Sequence, residues 1–194
     1  MLMEEIKERR DAAITTLAKA HHTNPPYNYL DIEFCYLQVR RICEILAIAA
    51  LIAHNEIDSF RANKFIKAWN ADDLFTKLAS VNTTAFPRAA RFEAEEEAGV
   101  FVATIENEGY LTREAFTQIY HQCSAGLHAG TLKRLLDYGP KQYNVKDVIS
   151  WLDEIVRLLN IHVVVLPNGK MMSVEMIGGY NGSVICHLDD LELH

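Results

Sequence analysis

Charged side chains interrupt the most apolar stretch of the chain. Arg40, Arg41 and Glu44 lie just upstream of an uninterrupted apolar run, Ile45 to Ala53. Charges in such surroundings are costly unless they are paired, and on a helix Glu44 lies one turn from both arginines. The first interpretation is an internal salt-bridge network that fixes the helix. The second is a polar pocket, which would bind an anion or support a small-molecule enzyme, so these three residues are the candidate ligand-binding residues.

Histidines supply a second set of reactive side chains. Of the 8 histidines, His121 and His128 are seven residues apart, a spacing that places both on one face of a continuous helix. Two histidines without a nearby cysteine or carboxylate make a poor zinc site, so we predict no metal and no cofactor. Ser124 precedes His128 by four residues and could be a nucleophile beside its base. No third orienting group accompanies them, which favours a role as a local helix cap for Ser124.

Sequence signatures of phosphate and metal sites are missing. The chain contains no GxxxxGK[ST], no GxGxxG and no HExxH. The glycine-rich stretch from Gly178 to Gly182 joins two predicted strands and opens no helix, so no helix N-terminus is available to a phosphate. We interpret it as a hairpin loop.

Composition limits the classes of protein to consider. The chain has 194 residues, of which 49% are hydrophobic, which suits one domain with its own core. A net charge of −7 argues against a broad basic surface for nucleic acid. The 4 cysteines form no CxxC pair and indicate a reducing compartment. The N-terminus, MLMEEIKERRD, has no apolar signal region, so we predict a cytoplasmic protein.

One long helix is expected to organise the fold. The segment from Asp31 to Asn55 lacks glycine and proline, and its apolar residues go nearly all the way round a helix. Such a helix is buried in a bundle or in a membrane. The apolar run from Ile45 to Ala53 is far shorter than the roughly 20 residues that a bilayer requires. The sequence therefore predicts the central helix of a bundle and no membrane span. The apolar residues are Phe34, Leu37, Val39, Ile42, Ile45, Leu46, Ile48, Leu51 and Ile52.

The remaining helices are predicted from apolar periodicity and capping residues. The first runs from near Glu4 to Ala20. A short helix carries Ala62, Phe65, Ile66 and Trp69, and the next begins at Asn70 or Asp72. Thr112 caps a further helix, after which TLKRLLDYGP ends at Gly139-Pro140. Asn144 opens the most clearly amphipathic helix, which ends at Asn160.

Strands are predicted in two places. After a loop from Asn82 to Arg91, RFEAEEE and GVFVATIE indicate a short hairpin near residues 91–106, although EAEEEA could also be a helical turn. HVVVL, MMSVEMI and SVICHL indicate a C-terminal antiparallel meander, with Asn168-Gly169 as a hairpin turn. Met172, Val174 and Met176 alternate with polar residues, which predicts one dry face. The fold class is thus mainly α (α+β), with a helical bundle over 1–160 and a meander over 161–194 packed on the same domain.

Two stretches of this chain resemble the HEPN superfamily of helical domains, found in prokaryotic defence and toxin–antitoxin systems. They are VRRICEILAIAALIAH, which begins at Val39, and IYHQCSAGLHAG, which begins at Ile119; the resemblance covers Glu4 to Leu159. It implies a bundle of helices that is often a homodimer. It also implies, for active members, metal-free RNA cleavage by an arginine followed, after a spacer of roughly four to six residues, by a histidine.

The resemblance matches this chain at the histidine of the motif and departs from it at the arginine. His128 is similar in placement to the motif histidine, but His121, Gln122 and Cys123 occupy the region where the arginine belongs. Cleavage of RNA needs an acid/base and also a fixed cation for the charge on the phosphate. His128 could be the first, and Arg41 or a protonated His121 the second. We therefore expect a non-catalytic or degenerate member that forms a homodimer and binds a protein partner, RNA or a small ligand. The alternative is a metal-independent endoribonuclease that uses His128.

Overall fold

The computed structural model describes residues 2–22, 28–54, 70–94, 101–106, 108–128, 136 and 143–190. The predicted helix that carries Ala62 to Trp69 lies outside these residues. The TLKRLLDYGP segment also lies outside them, apart from Leu136.

Five α-helices are present in the described part of the chain. They are α1 (Leu2–His21), α2 (Tyr29–Ala53), α3 (Ala71–Ala79), α4 (Arg113–Leu127) and α5 (Val145–Asn160). Three of them begin at the predicted cap, where a side-chain oxygen accepts a backbone N–H of the first turn. Asn70 accepts from Asp73 N at 2.8 Å, Thr112 accepts from Ala115 N at 3.2 Å, and Asn144 performs the same role for α5.

The long helix α2 lies at the centre of the helical part, as predicted, and packs against α1, α3, α4 and α5. Its inward side includes Val39, Ile42 and Cys43, none of which is accessible to solvent. Aromatic rings close the core at two places. Tyr36 lies edge-on to Tyr143 and Trp151, while Phe75, Phe86 and Phe116 form a second cluster. The hydrophobic core therefore surrounds most of the circumference of α2, but not all of it.

The strands among the described residues form one antiparallel sheet of five strands in the order β2-β1-β3-β4-β5. They are β1 (Arg88–Ala94), β2 (Phe101–Ile105), β3 (Ile161–Val165), β4 (Lys170–Glu175) and β5 (Ile185–Asp190). Helix α5 packs against β1, β3 and β4. The C-terminal meander thus extends the sheet begun by the β1–β2 hairpin, because β1 pairs with β3 through Arg88↔Val163 and Ala89↔His162.

Two local expectations for the strands are corrected. Arg88 to Arg91, predicted as part of a loop, belong to β1, because distant residues of β3 and β2 supply their partners. In β4, Ser173 is as inaccessible as Val174, so the alternation does not separate a wet face from a dry one. The Asn168-Gly169 turn is confirmed: Gly169 has a φ of 76°, which glycine adopts without strain.

A polar network joins the C-terminal end of α2 to the sheet. The Nδ1–H of His54, the residue that caps α2, donates to Ala50 O at 2.6 Å. Its Nε2 therefore accepts from Asn82 Nδ2 at 2.8 Å. Asn82 also donates to Val165 O at 2.7 Å and accepts from Thr84 N at 3.0 Å. Burial lowers the pKa of His54, although the bond to Ala50 opposes this, so the ring is neutral in its network.

Helix α1 holds the loop between β4 and β5 in place. Glu4 Oε1 accepts the backbone N–H of Val184 at 2.7 Å, and Lys7 Nζ donates to Gly182 O at 2.5 Å. A salt bridge of 3.0 Å joins the two side chains. The backbone bond of Val184 is the main cause that lowers the pKa of Glu4. The glycine-rich segment is thereby occupied with internal contacts, as expected of a hairpin loop.

Candidate functional site

The charged cluster in α2 is an ion-pair network. Arg40 Nε lies 3.0 Å from Glu44 Oε1, and Arg41 Nη1 lies 2.8 Å from Glu44 Oε2. Each carboxylate oxygen is thus bonded to a different arginine. The cluster carries one excess positive charge, and 55% of the Arg41 side chain is exposed. These contacts are the ones that the salt-bridge interpretation requires.

Arg40 connects α2 to α4. Its guanidinium carbon lies 5.7 Å from the centre of the Tyr120 ring, within the range of a cation–π contact. Partial burial alone would lower the pKa of Arg40, but the hydrogen bond to Glu44 and the contact with Tyr120 outweigh it and raise the pKa. Arg40 is therefore a structural cation with a carboxylate on one side and an aromatic ring on the other.

His121 belongs to a contact between α3 and α4. Its Nε2 lies 3.2 Å from Asp72 Oδ2, and Thr117 Oγ1 donates to Asp72 Oδ1 at 3.2 Å. Nearby, Arg113 Nη2 donates to Thr76 Oγ1 at 2.8 Å. The imidazole of His121 is therefore engaged with Asp72 in the contact between the two helices.

His128 lies at the C-terminal end of α4, where its side chain is exposed and its backbone N–H donates to Ser124 O at 3.1 Å. Ser124 Oγ donates to Tyr120 O at 2.8 Å, so its hydroxyl bonds to the preceding turn inside α4 and does not cap a helix end as predicted. Within the described residues, no hydrogen bond or ion pair joins His128 to Arg41 or His121. Arg41 and His121 are bonded instead to Glu44 and Asp72.

The most unusual feature of α2 is its outward side. Phe34, Leu37 and Ile48 are 39%, 41% and 44% exposed, although the sequence predicted a helix buried on every side. They belong to a row that recurs every three or four residues along one face of the helix. We call this row the outer stripe. It consists of Leu30, Phe34, Leu37, Arg41, Glu44, Ile48, Leu51 and Ile52.

The outer stripe is an apolar surface with charge only at its middle. Leu30 and Ile52, near its two ends, are 55% and 58% exposed, and Leu51 is partly buried against the core. Single exposed apolar residues are common on protein surfaces, whereas a contiguous row of them marks an interaction site. The arrangement can bind the apolar face of another helix.

Sequence reasoning missed two contacts and one surface. The pairs Arg40–Tyr120 and Asp72–His121 join residues far apart in the chain, so no local pattern reveals them. The outer stripe did leave a signal: its apolar residues continue around α2 beyond the sector that one core can cover. We interpreted that excess as complete burial.

Neither metal ligation nor a membrane span is supported by the described residues. They contain no group of three or more His, Cys, Asp or Glu side chains placed to hold a metal ion. The helices described here include none with the length and hydropathy to traverse a bilayer. No protein-family model, no curated protein and no solved structure matches this chain significantly.

Proposed function

We propose that this protein is a non-catalytic domain that associates with a second copy of itself through the outer stripe of α2. The observation that carries the proposal is the exposure of Phe34, Leu37 and Ile48 on a helix whose other sides are packed. Burying these side chains in a dimer removes apolar surface from water, which is the main driving force of most protein–protein association. An HEPN-like, degenerate domain of a prokaryotic defence or regulatory system fits this role, and that setting rests on the sequence resemblance alone.

The charged side chains support a role without catalysis. The side chains that could supply the cation for RNA cleavage are bonded elsewhere: Arg41 to Glu44, and His121 to Asp72. A catalytic cation must be aimed at the charge that develops in the transition state. Within the described residues, neither side chain is bonded to His128, so the arrangement favours binding over chemistry.

Sedimentation of matched variants tests the proposal. Leu37→Glu places a charge in the outer stripe, and Ile149→Glu places one at a 50% exposed position on α5, away from the stripe. We expect dimers for the wild type and Ile149→Glu, and monomers for Leu37→Glu that keep the helix content of the wild type. Equal association of all three proteins would contradict the role of the stripe.

The second candidate function is a metal-independent endoribonuclease, which is favoured by the exposed side chain of His128. Pure protein incubated with RNA, with and without a chelator, distinguishes the two candidates. Our proposal predicts intact RNA in both conditions. Cleavage that survives chelation and is abolished in His128→Ala would establish the alternative instead.

A further inference from the structure

Opposite charges lie next to one another at the midpoint of the outer stripe. From Phe34 to Leu51 the stripe spans about 26 Å at the rise of an α-helix. Arg41 and Glu44 lie symmetrically about its centre, with Leu37 and Phe34 on one side and Ile48 and Leu51 on the other. The stripe is therefore apolar, charged, and apolar again along its length.

This order of residues restricts how two copies can pack. In a parallel pair in register, Arg41 lies opposite Arg41 and Glu44 opposite Glu44, which places like charges together. An antiparallel pair with its two-fold axis at Arg41 has the same defect. If the axis lies midway between Arg41 and Glu44, each arginine faces the glutamate of the other copy, Leu37 faces Ile48, and Phe34 faces Leu51. Like charges that face each other at an interface are unfavourable, so of these three arrangements the charges favour the last.

We infer that two copies of the chain pack α2 against α2 antiparallel, with the two-fold axis between Arg41 and Glu44 and reciprocal ion pairs between these residues. This inference rests on the proposed function, since it specifies the geometry of that association. The heptad-like spacing of Phe34, Leu37, Arg41, Glu44, Ile48 and Leu51 is the pattern by which two helices interdigitate. A guanidinium has five N–H donors, so Arg41 can bond to the partner's carboxylate while it keeps its own.

The charges can be exchanged to test the register. Arg41→Glu alone places carboxylates opposite each other in both charged layers, and Glu44→Arg alone does the same with guanidinium groups. A mixture of the two variants can form a mixed dimer in which every layer is complementary. In the homodimer and in the mixed dimer alike, each variant lacks the ion pair between positions 41 and 44 of its own chain. A preference for the mixed dimer therefore reports the contact between the two copies. We expect the mixed dimer to be at least about tenfold tighter than either homodimer.

A matched pair of variants controls for net charge. Asp153 and Arg157 form an exposed i,i+4 pair on α5, at 3.1 Å. Asp153→Arg and Arg157→Glu change the charge by the same amounts away from the stripe. We expect no preference for mixing between these two variants.

Cysteine crosslinking separates the antiparallel register from a parallel one, which would also favour mixing. In a Cys186→Ser background, Leu37→Cys mixed with Ile48→Cys brings the two thiols together across the antiparallel interface. Leu37→Cys alone keeps its thiols about 16 Å apart along the axis. The remaining cysteines are buried, which raises the pKa of Cys35 to about 11 and that of Cys123 to about 12, and the pKa of Cys43 well above its ordinary value. They are therefore poor nucleophiles.

We expect a crosslinked dimer from the oxidised mixture and none from either variant alone. Crosslinking of Leu37→Cys with itself would overturn the antiparallel register. Equal affinities of the mixed and unmixed charge variants would overturn it as well. In either case, a wild-type dimer would leave the proposed function standing. A wild-type protein that stays monomeric at all concentrations would overturn both.

Discussion

Arg41 and Glu44 form an ion pair of 2.8 Å in the middle of a surface that is otherwise apolar. Exposed ion pairs contribute little to stability, with typical values below about 1 kcal/mol. Ion pairs contribute more to the specificity of an interface than to stability. A charge in an apolar interface disfavours every arrangement in which it faces a charge of the same sign. In the proposed dimer, the Arg41–Glu44 pair therefore determines how the two outer stripes are oriented relative to each other.

Asn82 is predicted to be the most sensitive link between α2 and the sheet. Asn82→Ala removes the amide that donates to the Nε2 of the buried His54 and to the carbonyl of Val165, which costs about 1–3 kcal/mol. Chemical denaturation measures this loss. Ser150→Ala is the control, because it removes a hydrogen bond of 3.0 Å to Glu154 on an exposed helix face. If both variants lose the same small amount, the network does not stabilise the fold.

Acid is predicted to destabilise the protein through His162. Burial lowers the pKa of this histidine from 6.5 to about 4, while its bond to Leu159 O at 3.0 Å opposes the shift. As the pH falls below 6.5, the unfolded chain gains a proton that the folded chain does not bind. The free energy of unfolding therefore decreases between pH 6.5 and about 4, by roughly 3 kcal/mol from this residue.

Unfolding measured over this pH range in the wild type and in His162→Gln isolates the contribution, since the carboxyl groups are common to both proteins. We expect the stability of the variant to depend less on pH by that amount. Parallel curves for the two proteins would show that His162 does not control the acid response.

Gly126 is predicted to be required for the close approach of α4 to α2. A Cβ at this position would lie 2.5 Å from Cδ1 of Tyr36, a ring held by Tyr143 and Trp151. Gly126→Ala should therefore lower stability by about 1–3 kcal/mol, despite the better helix propensity of alanine. Thermal unfolding measures the change, with Gln122→Ala on the exposed side of α4 as control. A melting temperature equal to or above that of the wild type would contradict this close packing.

Local structure was predictable wherever a residue and its partner lie within one turn of each other. Asn70, Thr112 and Asn144 cap their helices through N–H groups two or three residues ahead, so the sequence identified two of the starts and limited the third to Asn70 or Asp72. The predicted α+β class and the antiparallel meander are confirmed for the same reason, since periodicity and turn chemistry are local signals.

Contacts across the fold were not predictable in this way. Arg88 to Arg91 contain nothing that distinguishes a loop from a strand until β3 and β2 supply their hydrogen bonds. Periodicity also showed that α2 is apolar on all sides, but not which side the other helices leave uncovered. The candidate site changed for that reason, from the charged residues to the apolar row around them.

The molar mass of the wild-type protein across a concentration series tests the central claim most directly. We predict that sedimentation equilibrium will show a transition toward about 44 kDa, twice the 22.0 kDa of the chain. Leu37→Glu should remain at the mass of one chain over the same range. A wild-type protein that stays at the monomer mass at every concentration would contradict the account.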